Sequence, residues 1–219
     1  MNIEKGNNAE KYDLAPYVVT VIPDQEMLAA IHLEIEDRLK MIVSLKVEEN
    51  KELDSTFNLD INSKAAQLES IYGVYTNQIS RVIKETIFLN KYKKSKFLLT
   101  VNLIETAYKT DVLCHILNAI MLTLIIAKIE MKYLPVSSTC FVDGSENIYT
   151  EEEANASDKE LTQIYLCKKL ANDDDIVSFK ISGGHLEDRE VDKVFSHLCG
   201  SANIIGRKLL EYIHGLATN

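Results

Sequence analysis

The amino-acid sequence predicts an α+β fold in which helices pack on a mixed sheet. Three observations predict it. Several short runs alternate apolar and polar residues at period two, as half-buried strands do. Longer stretches repeat apolar residues at three- and four-residue steps, as amphipathic helices do. The order of these runs, four strands, a helix, a strand, a helix, three strands and a helix, lacks the strict alternation of a doubly wound sheet.

Taken in chain order, YVVTVI (17–22) is β-branched and stops at Pro23, a strand entering a turn. The runs 28–35 and 39–47 are joined by Glu36-Asp37-Arg38 and read as an antiparallel pair. Met41, Val43 and Leu45 alternate with Ile42, Ser44 and Lys46, so one face is the more buried. FNLDI (57–61) is a further strand, after which the period changes. Over 65–89, Leu68, Ile71, Tyr72, Tyr75, Ile79, Val82, Ile83 and Ile87 define an amphipathic helix. FLLTVNLI (97–104) is again a strand, and Thr110 or Asp111 caps a helix from Val112. Strands follow at 137–142, 162–169 and 176–181, the last two as a hairpin. Gly183-Gly184 breaks the pattern before a helix over 187–216, in which Gly200 and Gly206 mark places for a kink.

With 219 residues, 46% hydrophobic, and only 8 Gly and 3 Pro, the chain shows no linker at which to divide it. It reads as one domain over 1–219, with residues 1–14 as a disordered polar tail. The stretch 112–129 approaches the roughly 20 apolar residues of a membrane span. His115, Asn118 and Lys128 interrupt it, so it reads as a helix buried all round in a core.

A net charge of -9 disfavours autonomous binding to a phosphate backbone, which depends on Lys and Arg. The acidic runs Glu151-Glu152-Glu153 and Asp173-Asp174-Asp175 read as solvated loops without chemistry. Four cysteines are scattered without a C-x-x-C pair, three of them within apolar patterns typical of buried free thiols, which reads as a reducing compartment. The polar start carries no apolar signal region, which reads as intracellular and makes Asn155-Ala156-Ser157 a chance sequon. His115 and His32 read as hydrogen-bonded core histidines, and His185 as the start of the last helix.

LLTVNLIETAYKTDVLCHILNAIMLTLIIAKIEM (98–131) resembles the central strand and buried helix of ribonuclease PH-like proteins. AAIHLEIEDRLKMIVSLKV upstream resembles strands of that family's N-terminal sheet, and FKISGGHLEDREVDKVF downstream its final strand, turn and C-terminal helix. The three blocks come in the family's order and cover most of the chain from residue 28. The resemblance implies a ribonuclease PH-like (ribosomal protein S5 domain 2-like) fold. The family includes phosphorolytic exoribonucleases and the ring subunits of the eukaryotic exosome, several of which have lost activity.

Active members carry a Gly-Ser/Thr-Arg segment that holds phosphate at the start of the central helix. The resemblance places Asp111, Val112 and Leu113 there. Asp111 puts a carboxylate at the positive helix end, where it occupies free N–H groups and repels phosphate. The acidic residue of active members falls in NIYTEEEANASDKEL, with Asp158 or Glu160 as candidates, and no catalytic residue is carried over. The Arg-containing segment that feeds RNA into active members has no counterpart, since no Arg lies between Val47 and Ala65. Lys91, Tyr92, Lys93, Lys94 and Lys96 form the one basic cluster, a candidate RNA contact with Tyr92 stacking on a base, or else a solvated turn.

The resemblance implies a non-catalytic structural subunit of an exosome ring, supporting 3′-to-5′ RNA processing and degradation by partner nucleases. No cofactor or metal is expected. Expected partners are other ribonuclease PH-like subunits and cap proteins in a hetero-oligomeric ring, with RNA passing through the assembly, no membrane contact, and a place in nucleus, nucleolus and cytoplasm. Two other readings stay open: an active phosphate-dependent 3′-to-5′ exoribonuclease, and an unrelated cytosolic α+β binding domain.

Overall fold

The computed structural model describes residues 11–14, 17–36, 38–52, 54–63, 69–106, 111–145, 147–170, 175–184, 186 and 188–218. Strands β1 (Lys11–Leu14), β2 (Tyr17–Val21), β3 (Ala29–Ile35), β4 (Leu39–Glu49), β5 (Thr56–Ser63) and β6 (Ser95–Thr106) form a six-stranded sheet in the order β1-β2-β3-β4-β6-β5. All neighbours are antiparallel except β5 and β6, which run parallel with helix α1 (Glu69–Thr86) between them in the chain. This is the expected mixed sheet. Parallel strands need a crossover, and the period change after β5 encodes it.

The remaining strands make a separate sheet, which period-two patterning did not distinguish from the first. Strands β7 (Pro135–Val142), β8 (Ile148–Tyr149), β9 (Thr162–Lys169) and β10 (Ile176–Ser182) are ordered β10-β9-β7-β8, all antiparallel. The 15-residue helix α2 (Val112–Ile126) packs against β3 and β4 on one side and β7 and β9 on the other. Every residue from Val112 to Leu124 is buried, as a helix covered by a sheet on each side requires. No helix among the described residues is long and apolar enough to cross a membrane.

Helix α4 (Asp188–Thr218) covers β7 and β9 from their other side, with Val194 and Leu198 against Cys140, Val142, Ile164 and Leu166. Two polar bonds pin it: Ser138 Oγ donates to the Leu198 carbonyl at 2.8 Å, and the buried Lys168 Nζ donates to Asn203 Oδ1 at 3.0 Å. The helix is continuous through Gly200 and Gly206, so neither interrupts it. Gly206 serves close approach instead: a Cβ there would lie 2.0 Å from Leu170 Cδ1 and 3.0 Å from its Cγ. Gly206→Val is expected to lower stability by about 1–3 kcal/mol through overpacking, read as a shift in urea midpoint at unchanged slope. A midpoint at the wild-type value would contradict this contact.

Two expectations need correction here. Residues 11–14 pair with β2 as a strand, so the disordered tail assigned to 1–14 does not hold at 11–14, and residues 1–10 lie outside the described residues. The run Glu151-Glu152-Glu153 is not a solvated loop but the first turn of a short helix, α3 (Glu151–Asn155). Thr150 caps it, accepting from the Glu153 N–H while the Glu153 carboxylate accepts from the Thr150 N–H. Three acidic residues at the positive end of a helix are favourably placed. Of the second acidic run, Asp175 pairs with Lys169 at 3.3 Å, while residues 173 and 174 lie outside the described residues, as does His185.

Candidate functional site

The residues singled out at the start of α2 lie beside a small cleft between the two sheets. Asp111 is the N-cap, its Oδ1 accepting from the Cys114 N–H at 3.2 Å. The self-capping expected from sequence is present. Val112 and Leu113 turn their side chains into the core.

A second carboxylate completes the closure. Glu151, delivered by α3, accepts from the Asp111 N–H at 2.7 Å and from His115 Nε2 at 2.8 Å, and lies 3.6 Å from Arg38 Nη1. It is only 7% exposed. Burial pushes its pKa up, but the facing His115, the two hydrogen bonds and Arg38 outweigh burial and hold it below the ordinary value. Asp111 goes the other way: burial raises its pKa above the ordinary value, despite the Cys114 N–H and His115. Its Oδ2 has no hydrogen-bond partner among the described residues.

The network continues inward. His115 Nδ1 lies 3.0 Å from the Tyr17 hydroxyl, which accepts from Asn118 Nδ2 at 2.9 Å. Nε2 donates to the Glu151 carboxylate, while the direction of the Nδ1–Tyr17 bond follows the protonation of the imidazole. Asn118 is held by Ser137, donating to its carbonyl and accepting from its N–H, both at 2.9 Å. His115 is thus the hydrogen-bonded core histidine expected from the sequence.

The cleft has a volume of about 280 Å³, and Tyr17, Arg38, His115, Thr150, Glu151 and His197 are among its lining residues. Its chemistry excludes more than it permits. At this helix start the Cys114 N–H is taken by Asp111 and the Asp111 N–H by Glu151, and the two carboxylates repel an anion. Cys114 is no nucleophile, because burial first and the neighbouring carboxylates next push its thiol well above the ordinary value. No group of acidic, histidine or cysteine side chains among the described residues is arranged to hold a metal.

Of the acidic candidates read from sequence, Asp158 and Glu160 are exposed. The acid that reaches the α2 start is Glu151. Arg38, Tyr17 and Glu151 were not legible as site residues, because they come from three elements far apart in the chain. The one available signal was the Thr150-x-x-Glu153 capping box, which marks a helix start where a loop was read.

The basic cluster sits elsewhere. It surrounds the 3₁₀ turn Leu89–Lys91 and the beginning of β6, whereas α2 starts after the other end of that 12-residue strand, roughly 40 Å along it. Lys91 pairs with Glu130 and lies over the Phe88 ring, 4.7 Å from its centroid. Lys93 and Lys94 are exposed, and Lys96 is half-buried. Tyr92 is half-buried; its ring meets Phe97 at 5.4 Å with the planes at 90°, and its hydroxyl accepts from the Glu130 N–H at 2.8 Å.

No protein-family model matches the chain. It is similar to the exosome complex component rrp46 of Schizosaccharomyces pombe, 20% identical over 174 residues, which cover 78% of this chain and 75% of that protein. Among solved structures, rice (Oryza sativa) Rrp46 superposes with a TM-score of 0.75 at 11% identity, covering 96% of this chain and 98% of its own. An archaeal exosome core subunit superposes with a TM-score of 0.63 at 18% identity, over 94% and 87% of the two chains. A subunit of the Archaeoglobus fulgidus exosome with RNA bound to the active site gives 0.61 at 17%, over 93% and 89%. The fold is that of exosome core subunits, and the α+β, ribonuclease PH-like expectation is borne out.

Proposed function

We propose that this chain, a ribonuclease PH-like protein, is a non-catalytic structural subunit of an exosome ring that supports 3′-to-5′ RNA processing and degradation by partner nucleases. The observation that carries the non-catalytic reading is the α2 start, where Asp111 caps the Cys114 N–H and Glu151 takes the Asp111 N–H, so that two carboxylates stand where a phosphate would sit. The degenerate phosphate site is therefore Asp111, Val112 and Leu113, closed by Glu151. The fold likeness and the rrp46 relative support the ring reading, with the whole of 1–219 acting as one domain.

Its partners are other ribonuclease PH-like subunits and cap proteins, and RNA is met through the assembled complex in nucleus, nucleolus and cytoplasm. Among the basic residues, Lys93, Lys94 and Lys96 are the phosphate contacts that fit this role, with Lys91 committed to Glu130 and Tyr92 to the core. The active exoribonuclease reading is disfavoured by the same closed helix start.

The test is a pair of measurements on purified protein. A labelled RNA oligonucleotide incubated with the chain and inorganic phosphate is expected to keep its length. Co-expression with other exosome ring subunits is expected to yield a stable complex and raise the melting temperature. Phosphate-dependent shortening that disappears in a variant of this chain would overturn the non-catalytic reading. A stable monomer indifferent to every ring subunit would overturn the scaffold.

A further inference from the structure

Strand β10 forms one edge of the four-stranded sheet, and no described strand pairs with its outer side. The strand holds no proline, its one charge, Lys180, turns toward α1, and its register shifts between Ile176 and Ser178, so the regular stretch from Phe179 to Ser182 is the part of this edge open to another chain. Its two faces differ. Phe179 and Ile181, opposite Leu166 and Ile164 of β9, lie on the side that α4 covers, yet are 42% and 38% exposed because that cover does not reach them. Ser178 and Lys180 lie on the other side, toward α1: Gln78 Nε2 donates to Ser178 Oγ at 2.7 Å, and Lys180 Nζ lies 4.9 Å from the Tyr75 ring centroid. There an open groove of about 450 Å³ is lined by Asn77, Gln78, Arg81, Ser178, Phe179 and Lys180.

The groove contains two cations and no carboxylate, on a chain whose net charge is -9. An added strand alternates its side chains between the two faces of the sheet. Beside β10 it would set every second residue against the apolar Phe179 and Ile181, and the residues between against Lys180 and Arg81. We propose that β10 docks an extended segment of a partner protein that alternates aliphatic with acidic residues, by strand addition. Single-stranded RNA fits the two cations less well than this, since it would leave Phe179 with one stacking base and Ile181 with none of its chemistry matched.

The test uses the full chain and synthetic seven-residue peptides. A peptide alternating Ile or Val with Glu is expected to bind in a fluorescence anisotropy titration and to protect β10 amides from hydrogen exchange. The same peptide with Lys in place of Glu, or with a central Pro that removes a backbone donor, is expected to bind at least tenfold more weakly. Arg81→Glu with Lys180→Glu is expected to reverse the preference toward the Lys peptide, and the milder Arg81→Ala with Lys180→Ala to abolish it, with circular dichroism unchanged in both. Equal affinity for the Glu and Lys peptides, indifference to the Pro, or absence of binding would overturn the proposal. So would tighter binding of a uridine oligonucleotide at the same residues, or a dimer in sedimentation that Ile181→Lys dissociates.

Discussion

Leu122→Asp abolishes the native fold. Leu122 is wholly buried near the middle of α2, the helix that both sheets share, so an aspartate there is cut off from water. A buried charge without a partner is among the few substitutions that remove more than about 4–5 kcal/mol, against a typical domain stability of about 5–15 kcal/mol. The loss should show as insoluble expression or as a far-ultraviolet spectrum without a cooperative thermal transition. Leu122→Ala, which removes apolar contacts without adding charge, should instead remain folded and lose about 2–5 kcal/mol. A Leu122→Asp protein that melts cooperatively near the wild-type temperature would mean that α2 is not the shared core.

Glu151→Ala should be the second most damaging change, at about 3–5 kcal/mol, because it leaves His115, Arg38 and the Asp111 N–H facing one another without their shared acceptor. Glu151→Gln keeps the shape and one acceptor oxygen and should lose less. The two variants differ from wild type in a pH-dependent way. The folded Glu151 pKa lies below its ordinary 4.5, so its charge contributes stability that is fully present above that value and is lost as pH falls through the lower, folded pKa. The stability gap between wild type and Glu151→Gln should therefore be constant near neutrality and narrow below about pH 4.5. Asp111 acts with the opposite sign, since its raised folded pKa favours the folded state at low pH and that contribution is lost as pH rises. Glu151 is one cause of that rise, so Glu151→Gln relaxes it in part and the smaller Asp111 contribution offsets some of the Glu151 one. Urea titrations from pH 3 to 7 would measure this, and a gap that widened toward acid would refute the assigned role of Glu151.

Strands β2 to β6, the hairpin of β9 and β10, and helices α1 and α4 follow from local periodicity, and α2 from its long apolar run. Their buried faces repeat over enough residues to override turn noise, as in β4, where buried and half-buried positions alternate from Leu39 to Lys46. The short elements were illegible for the converse reason. Two residues of β8 and five of α3 span too little chain to show a period, and a run of three glutamates resembles a solvated loop unless its cap is noticed.

The sequence by itself determined the α+β class, the all-round burial of α2 and the Asp111 cap, because each depends on side chains within a few residues of one another. The Asp111 cap needs only its own carboxylate and an N–H three residues on. Tertiary structure alone decided the rest of the site. Glu151 meets His115 across 36 residues, and Tyr17 meets it across 98, so no local pattern records either pairing. Whether an acidic residue is solvated or becomes the buried partner of a histidine depends on which strand and helix ends the packing brings together. The split of the strands into two sheets was decided in the same way, by the placing of α2 between them rather than by anything within a single strand.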